Sequence, residues 1–309
     1  MSTLYPARLE ALFLTFDKRF QGGYDTAESF VDKIATVVPS SSKEVRYAWM
    51  DKLPQLREWL GERQIQNAIA QEYTIVNKKY EMTVGLEVDK LDDDQIEVFT
   101  GVPEEMGAQA KVWPDRTMVS VVEAGEATLT FDGQNFFDTD HPRDTADSLS
   151  PVQSNLFTAT PLSAANYQVV RSSMKKFKGR DGSPLGVGNG KMVLMVPPAL
   201  EATGRQILNA DFIATALGTN AAQSQTNVLK GSADLIVNPW LTSDDAWYLL
   251  DTGRSIKPFV WQLRLAPQFT WKNRPEDDNV FLRDELLYGV KARGNAGFGL
   301  WFLAAKGRP

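Results

Sequence analysis

Residues 43–88 read KEVRYAWMDKLPQLREWLGERQIQNAIAQEYTIVNKKYEMTVGLEV, and this stretch decides the fold. Val45, Tyr47 and Trp49 alternate onto one face. Alternation resumes at Tyr73 and Ile75, then at Tyr80, Met82, Val84, Leu86 and Val88. Alternating aromatic and β-branched residues predict strands. About twenty residues, from Asp51 to Ala70, separate the first two runs, far more than a tight hairpin turn holds. The connection is not low-complexity: Leu53, Leu56, Trp59, Leu60, Ile65 and Ile69 need burial, and Arg57, Glu58, Glu62 and Arg63 lie between them. A two-stranded projection of this length buries little against itself and invites a partner surface. A small helical insert folded onto its own domain is the alternative.

Upstream, Leu9, Leu12, Phe13 and Phe16 recur at i, i+3, i+4 and i+7, which predicts an amphipathic helix. The segment lacks the basic start and uninterrupted apolar stretch of a signal peptide. Gln21-Gly22-Gly23 reads as a flexible turn, followed by an irregular stretch to Ser40-Ser41-Ser42, so the N-terminal region reads as an extended arm.

Downstream, Asp92-Asp93-Asp94 opens a segment whose Ile96, Phe99, Met106, Ala110 and Trp113 predict a long helix, kinked at Pro103. Three adjacent carboxylates at a helix start suit capping and the dipole, and cannot converge on one magnesium ion. Trp113-Pro114 predicts a break before a second helix ending near Gly125. A third helix is expected from Ser163 to Gly179, then a glycine-rich link from Arg180 to Gly190, the best internal boundary. The run MVLMV at 192–196 predicts a buried strand, and Pro197-Pro198 a helix from Ala199 to Leu208. Further strands are expected at Ala233–Asn238, Phe259–Leu265 and around Val280–Ala292. Mixed helices and strands in this order predict an α+β architecture.

Composition narrows the function. The 309 residues include no cysteine and one histidine, His141, which removes disulfides, thiolate nucleophiles, zinc ribbons and polyhistidine metal sites. A net charge of −6 gives no general attraction for nucleic acid or anionic membrane. No apolar run approaches the ~20 residues that cross a bilayer. A cytosolic site of synthesis is the simplest reading.

Four local features invite a functional reading. Lys175, Lys176, Lys178 and Arg180 form a cationic cluster, read as the solvated end of a helix or as a phosphate contact. Gly186-Val187-Gly188-Asn189-Gly190-Lys191 resembles a phosphate loop. However, Leu185 stands where its first glycine belongs, Met192 follows the lysine, and the run precedes a strand, so a mobile linker is the better account. Asp138-Thr139-Asp140-His141-Pro142 offers carboxylates beside an imidazole. Either it is a structured turn packed by Phe136 and Phe137, or a metal-assisted hydrolase is centred on Asp138, Asp140 and His141. The eight tryptophans, without a basic stripe among them, suit core and interface packing better than base stacking.

Several stretches resemble one family. They are Phe20-Gln21-Gly22-Gly23, PQLREW at 54–59 with Gly61 and Arg63, YTIVNKKYEMTVG at 73–85, DGQNFFDTDHP at 132–142, IKPF at 256–259 and DNVF at 278–281. The whole is similar to the major head subunit of Mu-like tailed phages, within the Hong Kong 97-like capsid proteins. The resemblance implies an N-terminal arm (1–42), an extended loop (43–90), and a peripheral domain with a spine helix (91–180). An axial domain with strands returning to the peripheral domain would occupy 181–309. It implies a shell subunit and no enzyme, with no catalytic, cofactor or metal site. Hexamers and pentamers would form an icosahedral head around double-stranded DNA, with scaffold, protease and portal proteins as assembly partners and no membrane. The implied location is the virion, assembled in the host cytoplasm. An encapsulin-like nanocompartment shell is the related alternative. Candidate inter-subunit contacts are Leu56, Arg57, Glu58, Trp59, Glu62 and Arg63 on the loop, with Phe13 and Phe20 on the arm.

Overall fold

The computed structural model describes residues 5–50, 70–87, 101–217, 221–272, 274 and 277–309. The expectations for Leu56 to Arg63 and for Asp92-Asp93-Asp94 lie outside the described residues.

A four-stranded sheet forms the first body. β1 (Ala35–Pro39) pairs in parallel with the long strand Phe259–Lys272, which pairs antiparallel with Glu285–Phe298, and that strand pairs antiparallel with Lys78–Glu87. In chain order, β2 (Glu44–Met50) and β3 (Ala70–Val76) pair only with each other, and β4 is Lys78–Glu87. β5 (His141–Pro142) pairs with β6 (Val152–Gln153); β7 is Leu156–Phe157 and β8 is Met192–Val196. β9 (Phe212–Leu217) and β10 (Ala221–Thr226) form a separate hairpin, followed by β11 (Asp234–Val237) and β12 (Trp247–Asp251). The two long strands are β13 (Phe259–Lys272) and β14 (Glu285–Phe298), and β15 is Ala304–Gly307. The second sheet runs β11-β8-β12-β15-β7, with β8 and β12 buried along their whole length, as expected of central strands covered on both faces.

Helix α1 (Tyr5–Thr26) and α3 (Gly101–Glu123) lie against the first sheet, with the short α2 (Val31–Ile34) between them in sequence. Phe13, Phe16 and Phe20 of α1 meet Phe269 and Tyr288, while Trp113 of α3 stands edge-on to Trp261 at 5.0 Å. Successive residues of a strand face opposite sides. Gly294 therefore lies under Trp113, while Asn295 and Gly297 lie under β3, where Asn295 Nδ2 donates to the Val76 carbonyl. Helices α4 (Ala164–Lys175) and α5 (Glu201–Asn209) belong to the second body, and α6 (Asp278–Arg283) closes the end of the β13–β14 ribbon. One large core joins residues of both sheets; a smaller one, with Leu9, Leu12, Phe16 and Phe20, lies beneath α1.

The α+β class, the N-terminal helix, the strands at 44–50, 70–76 and 78–87, and the buried strand at 192–196 follow the sequence reading. Other expectations are corrected. Gln21-Gly22-Gly23 is not a turn: α1 continues to Thr26, because α1 and α3 cross so closely there that their backbones nearly touch. A Cβ on Gly23 would sit 1.9 Å from the Glu104 carbonyl oxygen, and one on Gly107 would sit 2.0 Å from that of Phe20. Trp113-Pro114 does not break α3. Proline forfeits one helical hydrogen bond, but Trp113 and Asp115 on either side of it are held by tertiary partners. Pro103 falls in the first turn, where its missing N–H costs nothing. The tail strand begins at Glu285 rather than Val280, which belongs to α6. Finally, the 180–190 link is tied down: Gly188 N–H donates to Asp251 at 2.8 Å and Arg254 donates to the Leu185 carbonyl at 2.6 Å.

Candidate functional site

His141 is fully buried, and its ring lies on that of Trp301 at 3.9 Å and 6°. Its Nδ1 is 2.6 Å from Asp132 Oδ2, and its Nε2 is 3.2 Å from Asn155 Oδ1. The Asn155 amide is fixed by its neighbours: Nδ2 donates to the carbonyls of Phe136, Trp301 and Ala304, and Oδ1 accepts from Asp138 N–H. Asp132 Oδ1 also accepts from the Thr130 hydroxyl and Gln134 N–H. This arrangement stitches the loop containing Phe136 and Phe137 to the C-terminal strand β15. With both ring nitrogens engaged and the ring sealed from solvent, His141 cannot exchange a proton with an outside molecule, as acid–base catalysis requires.

The neighbouring aspartates are also engaged locally. Asp138 accepts from the Asn135 N–H and side chain and from Thr139 N–H. Partial burial pushes its carboxyl up, but these hydrogen bonds and one from Asp140 outweigh it and hold the group below the ordinary carboxylate range. The structured-turn reading therefore describes this run, in which Asp140 stands exposed and hydrogen-bonded to Asp138 while His141 is sealed from solvent. In the phosphate-loop look-alike, Lys191 pairs with Asp234 at 2.7 Å and leads into β8, so no helix N-terminus follows the glycines. Lys175, Lys176 and Lys178 lie exposed at and just beyond the end of α4, in keeping with its dipole.

Sequence reasoning gave no role to Asp115, since a lone aspartate in a helix carries no pattern. In the structure it is buried in α3 and accepts from Ser29 Oγ at 2.7 Å, Phe30 N–H at 3.2 Å and Val31 N–H at 2.9 Å. These bonds satisfy the N-terminus of α2 and fix the chain's entry into β1. Burial raises the Asp115 carboxyl, against the hydrogen bonds from Ser29, Val31 and Phe30.

Of the arm residues expected at subunit contacts, Phe20 is only 1% exposed and stacks on Phe269 at 5.2 Å. Phe13 is partly buried against Trp271 at 3.5 Å. Both pack within their own subunit, where α1 lies on the first sheet. Leu56, Arg57, Glu58, Trp59, Glu62 and Arg63 lie outside the described residues. β2 and β3 lead toward them, their last pair being Met50 with Ala70. The pair is anchored at its base, where Tyr47 donates its hydroxyl to Gln262 at 2.9 Å and Ile75 packs on Gly297. Trp247, Trp261 and Trp301 are core residues. Among the described residues no helix is long and apolar enough to cross a membrane.

A two-stranded projection, a long helix laid along a β-ribbon and a second mixed α/β body define the chain as a subunit of the capsid-shell fold. The sequence matches the model of the Mu-like prophage major head subunit gpT family over residues 9–161, 153–241 and 242–308. The chain belongs to that family and is a major capsid protein of a phage head. It is 30% identical over 299 residues to the major capsid protein of Escherichia phage Mu, covering 97% of this chain and 73% of that one. It is also 30% identical to the Mu-like prophage FluMu major head subunit of Haemophilus influenzae, covering 98% and 74%. A chain of the bacteriophage JBD30 procapsid superposes with a TM-score of 0.61 at 32% identity, covering 98% of this chain and 76% of that one. The virus-like particle of Pyrococcus furiosus shares the fold alone, at 8% identity and a TM-score of 0.53. These relatives are structural shell proteins, so the chain is not an enzyme. The nanocompartment alternative gives way to the phage head, and the protein is a component of the virion capsid, where its copies assemble into multimeric shells.

Proposed function

We propose that the shell is icosahedral and built of hexamers and pentamers, in which residues 43–90 reach from each subunit across its neighbour. The observation that carries this reading is the β2–β3 pair, which among the described residues joins no other strand and meets the body near Tyr47 and Val76 while its other end leads toward residues 51–69. A patch on one subunit that meets a different patch on the next generates a closed ring when the rotation closes. Leu56, Trp59 and the charged Arg57, Glu58, Glu62 and Arg63 are the contacts assigned to that reach.

On this reading residues 1–42 are the arm, 91–180 the peripheral domain with α3 as its spine, and 181–309 the axial domain plus the β13–β14 ribbon returning to the periphery. The shell encloses double-stranded DNA without reading its sequence, consistent with a net charge of −6 that gives no general attraction for phosphate. Assembly takes place in the host cytoplasm with scaffold, protease and portal proteins. Replacing residues 51–69 by a short turn tests the assigned reach. The expected product is a folded subunit that sediments as a small species and forms no particles; particles like those of the wild type would overturn it.

A further inference from the structure

The end of the β13–β14 ribbon carries an exposed apolar knob. Asn279 Nδ2 donates to the carbonyls of Lys272 at 2.9 Å and Glu285 at 2.6 Å, and Val280 packs on the smaller core. With α6 pinned from inside, Phe281 and Leu282 point outward, 82% and 73% exposed. Single exposed apolar residues are ordinary, but two large neighbours on an anchored turn form a patch that nothing among the described residues covers. Asp277 and Asp278 flank the pair on one side and Arg283 on the other. Neither Asp278 nor Arg283 forms an ion pair among the described residues.

A complementary hollow lies elsewhere on the same molecule. Where β13 twice slips register against β14, between Leu263 and Gln268, a cleft of about 200 Å³ opens toward β4 and α3. Tyr80, Met82, Trp113 and Pro267 line it, and Glu81 and Arg116 stand exposed at its rim. The volume falls below the ~300–1,000 Å³ usual for a small-molecule site and suits an inserted side chain.

We propose that the Phe281–Leu282 knob of one copy seats in the Tyr80–Trp113–Pro267 cleft of a second copy. Arg283 then faces Glu81, and Asp277 and Asp278 face Arg116, so the rim charges match in one orientation. Knob and cleft are different patches, so the contact is heterologous and repeats from copy to copy. The inference rests on the shell reading and names a contact independent of residues 51–69.

Because the chain has no cysteine, Leu282→Cys and Glu81→Cys introduce the only thiols. Particles of the double variant, oxidised and run without reductant, are expected to give a ladder of covalently linked chains that neither single variant gives. Particles that yield no ladder overturn the contact while leaving the shell reading intact. A ladder from Leu282→Cys alone would place knob against knob and also overturn it. Absence of particles from the wild-type chain, alone and with its scaffold, would instead refute the shell reading, and this contact with it. As a second arm, Phe281→Asp is expected to cut particle yield at least tenfold while leaving the thermal unfolding midpoint of the isolated subunit unchanged; an unchanged yield overturns the proposal.

Discussion

The Ser29 hydroxyl donates a 2.7 Å hydrogen bond to the carboxylate of Asp115, which lies 86 residues further along the chain. That bond, with those from Phe30 and Val31 N–H, joins the middle of the long helix to the segment that leads α1 into β1. Replacing Asp115 with alanine leaves the Phe30 N–H and the Ser29 hydroxyl without their acceptor and Val31 N–H with only its 3.3 Å bond to Ser29 Oγ. We expect a loss of about 2–3 kcal/mol, read from the urea midpoint.

The same carboxyl fixes a pH dependence. Burial raises it above its ordinary value of 3.8, so over the window between the two values the folded protein holds a proton that the unfolded chain has released. Stability contributed by this group is therefore present below that ordinary value and falls as pH rises through the window. Urea midpoints measured against pH should show this slope in the wild type and a reduced one in Asp115→Asn; identical slopes would contradict it.

At the crossing of α1 and α3, two glycines of one chain behave oppositely. Gly107→Ala drives a Cβ to 2.0 Å from the Phe20 carbonyl and forces the helices apart, so it should cost about 1–3 kcal/mol. Gly22, in the same helical run as Gly23, has nothing within 4 Å of its Cβ position. Gly22→Ala should stabilise by about 0.5–1 kcal/mol through helix propensity. Thermal unfolding of the two variants side by side separates these outcomes.

His141→Ala removes the ring stacked on Trp301 and leaves the buried Asp132 carboxylate facing an empty space. Removing a hydrogen-bond partner from a buried carboxylate, together with a stacked ring, should cost about 2–3 kcal/mol. Chemical denaturation measures that cost. A change below about 1 kcal/mol, the worth of an exposed pair, would contradict the structural role assigned to the cluster.

Burial pushes the Tyr47 phenol up to about 12, from 10.0. The hydroxyl should remain a donor to Gln262, holding the base of the β2–β3 pair, until the pH passes well above the ordinary phenol value. Stability from this group is complete below pH 10.0 and is lost as pH rises toward about 12. Following phenolate absorbance in the wild type and in Tyr47→Phe isolates this titration; a Tyr47 that ionises at the ordinary value would contradict the burial.

Periodicity made part of this structure legible. Leu9, Leu12 and Phe16 announce α1, the run at 192–196 announces a central strand, and the alternation from Val45 to Leu86 announces the strands β2, β3 and β4. What escaped depends on meetings distant in sequence. Gly22-Gly23 and Trp113-Pro114 read as interruptions because local propensity favours one, whereas the α1–α3 crossing keeps the first inside a helix and the contacts of Trp113 with Trp261 and of Asp115 with Ser29 keep the second. The strand Trp247–Asp251, buried on both faces, lacks the alternation that marks half-buried strands. Asp115 and Asn155 take their roles only from partners tens of residues away. The Asp132–His141 run was legible as a turn, although the stack on Trp301 was not. Phe281 reads as part of a strand in the sequence, whereas Asn279 and Val280 anchor it in a helix.

The central claim is that copies of this chain close into a shell of rings. Cryo-electron microscopy of particles formed by the full chain, alone or with a co-expressed scaffold protein, tests it most directly. The account predicts closed icosahedral shells in which each subunit's 43–90 segment lies over its neighbour and α3 runs along the β13–β14 ribbon. Monomers persisting under every condition, or shells in which 43–90 folds back onto its own subunit, would contradict it.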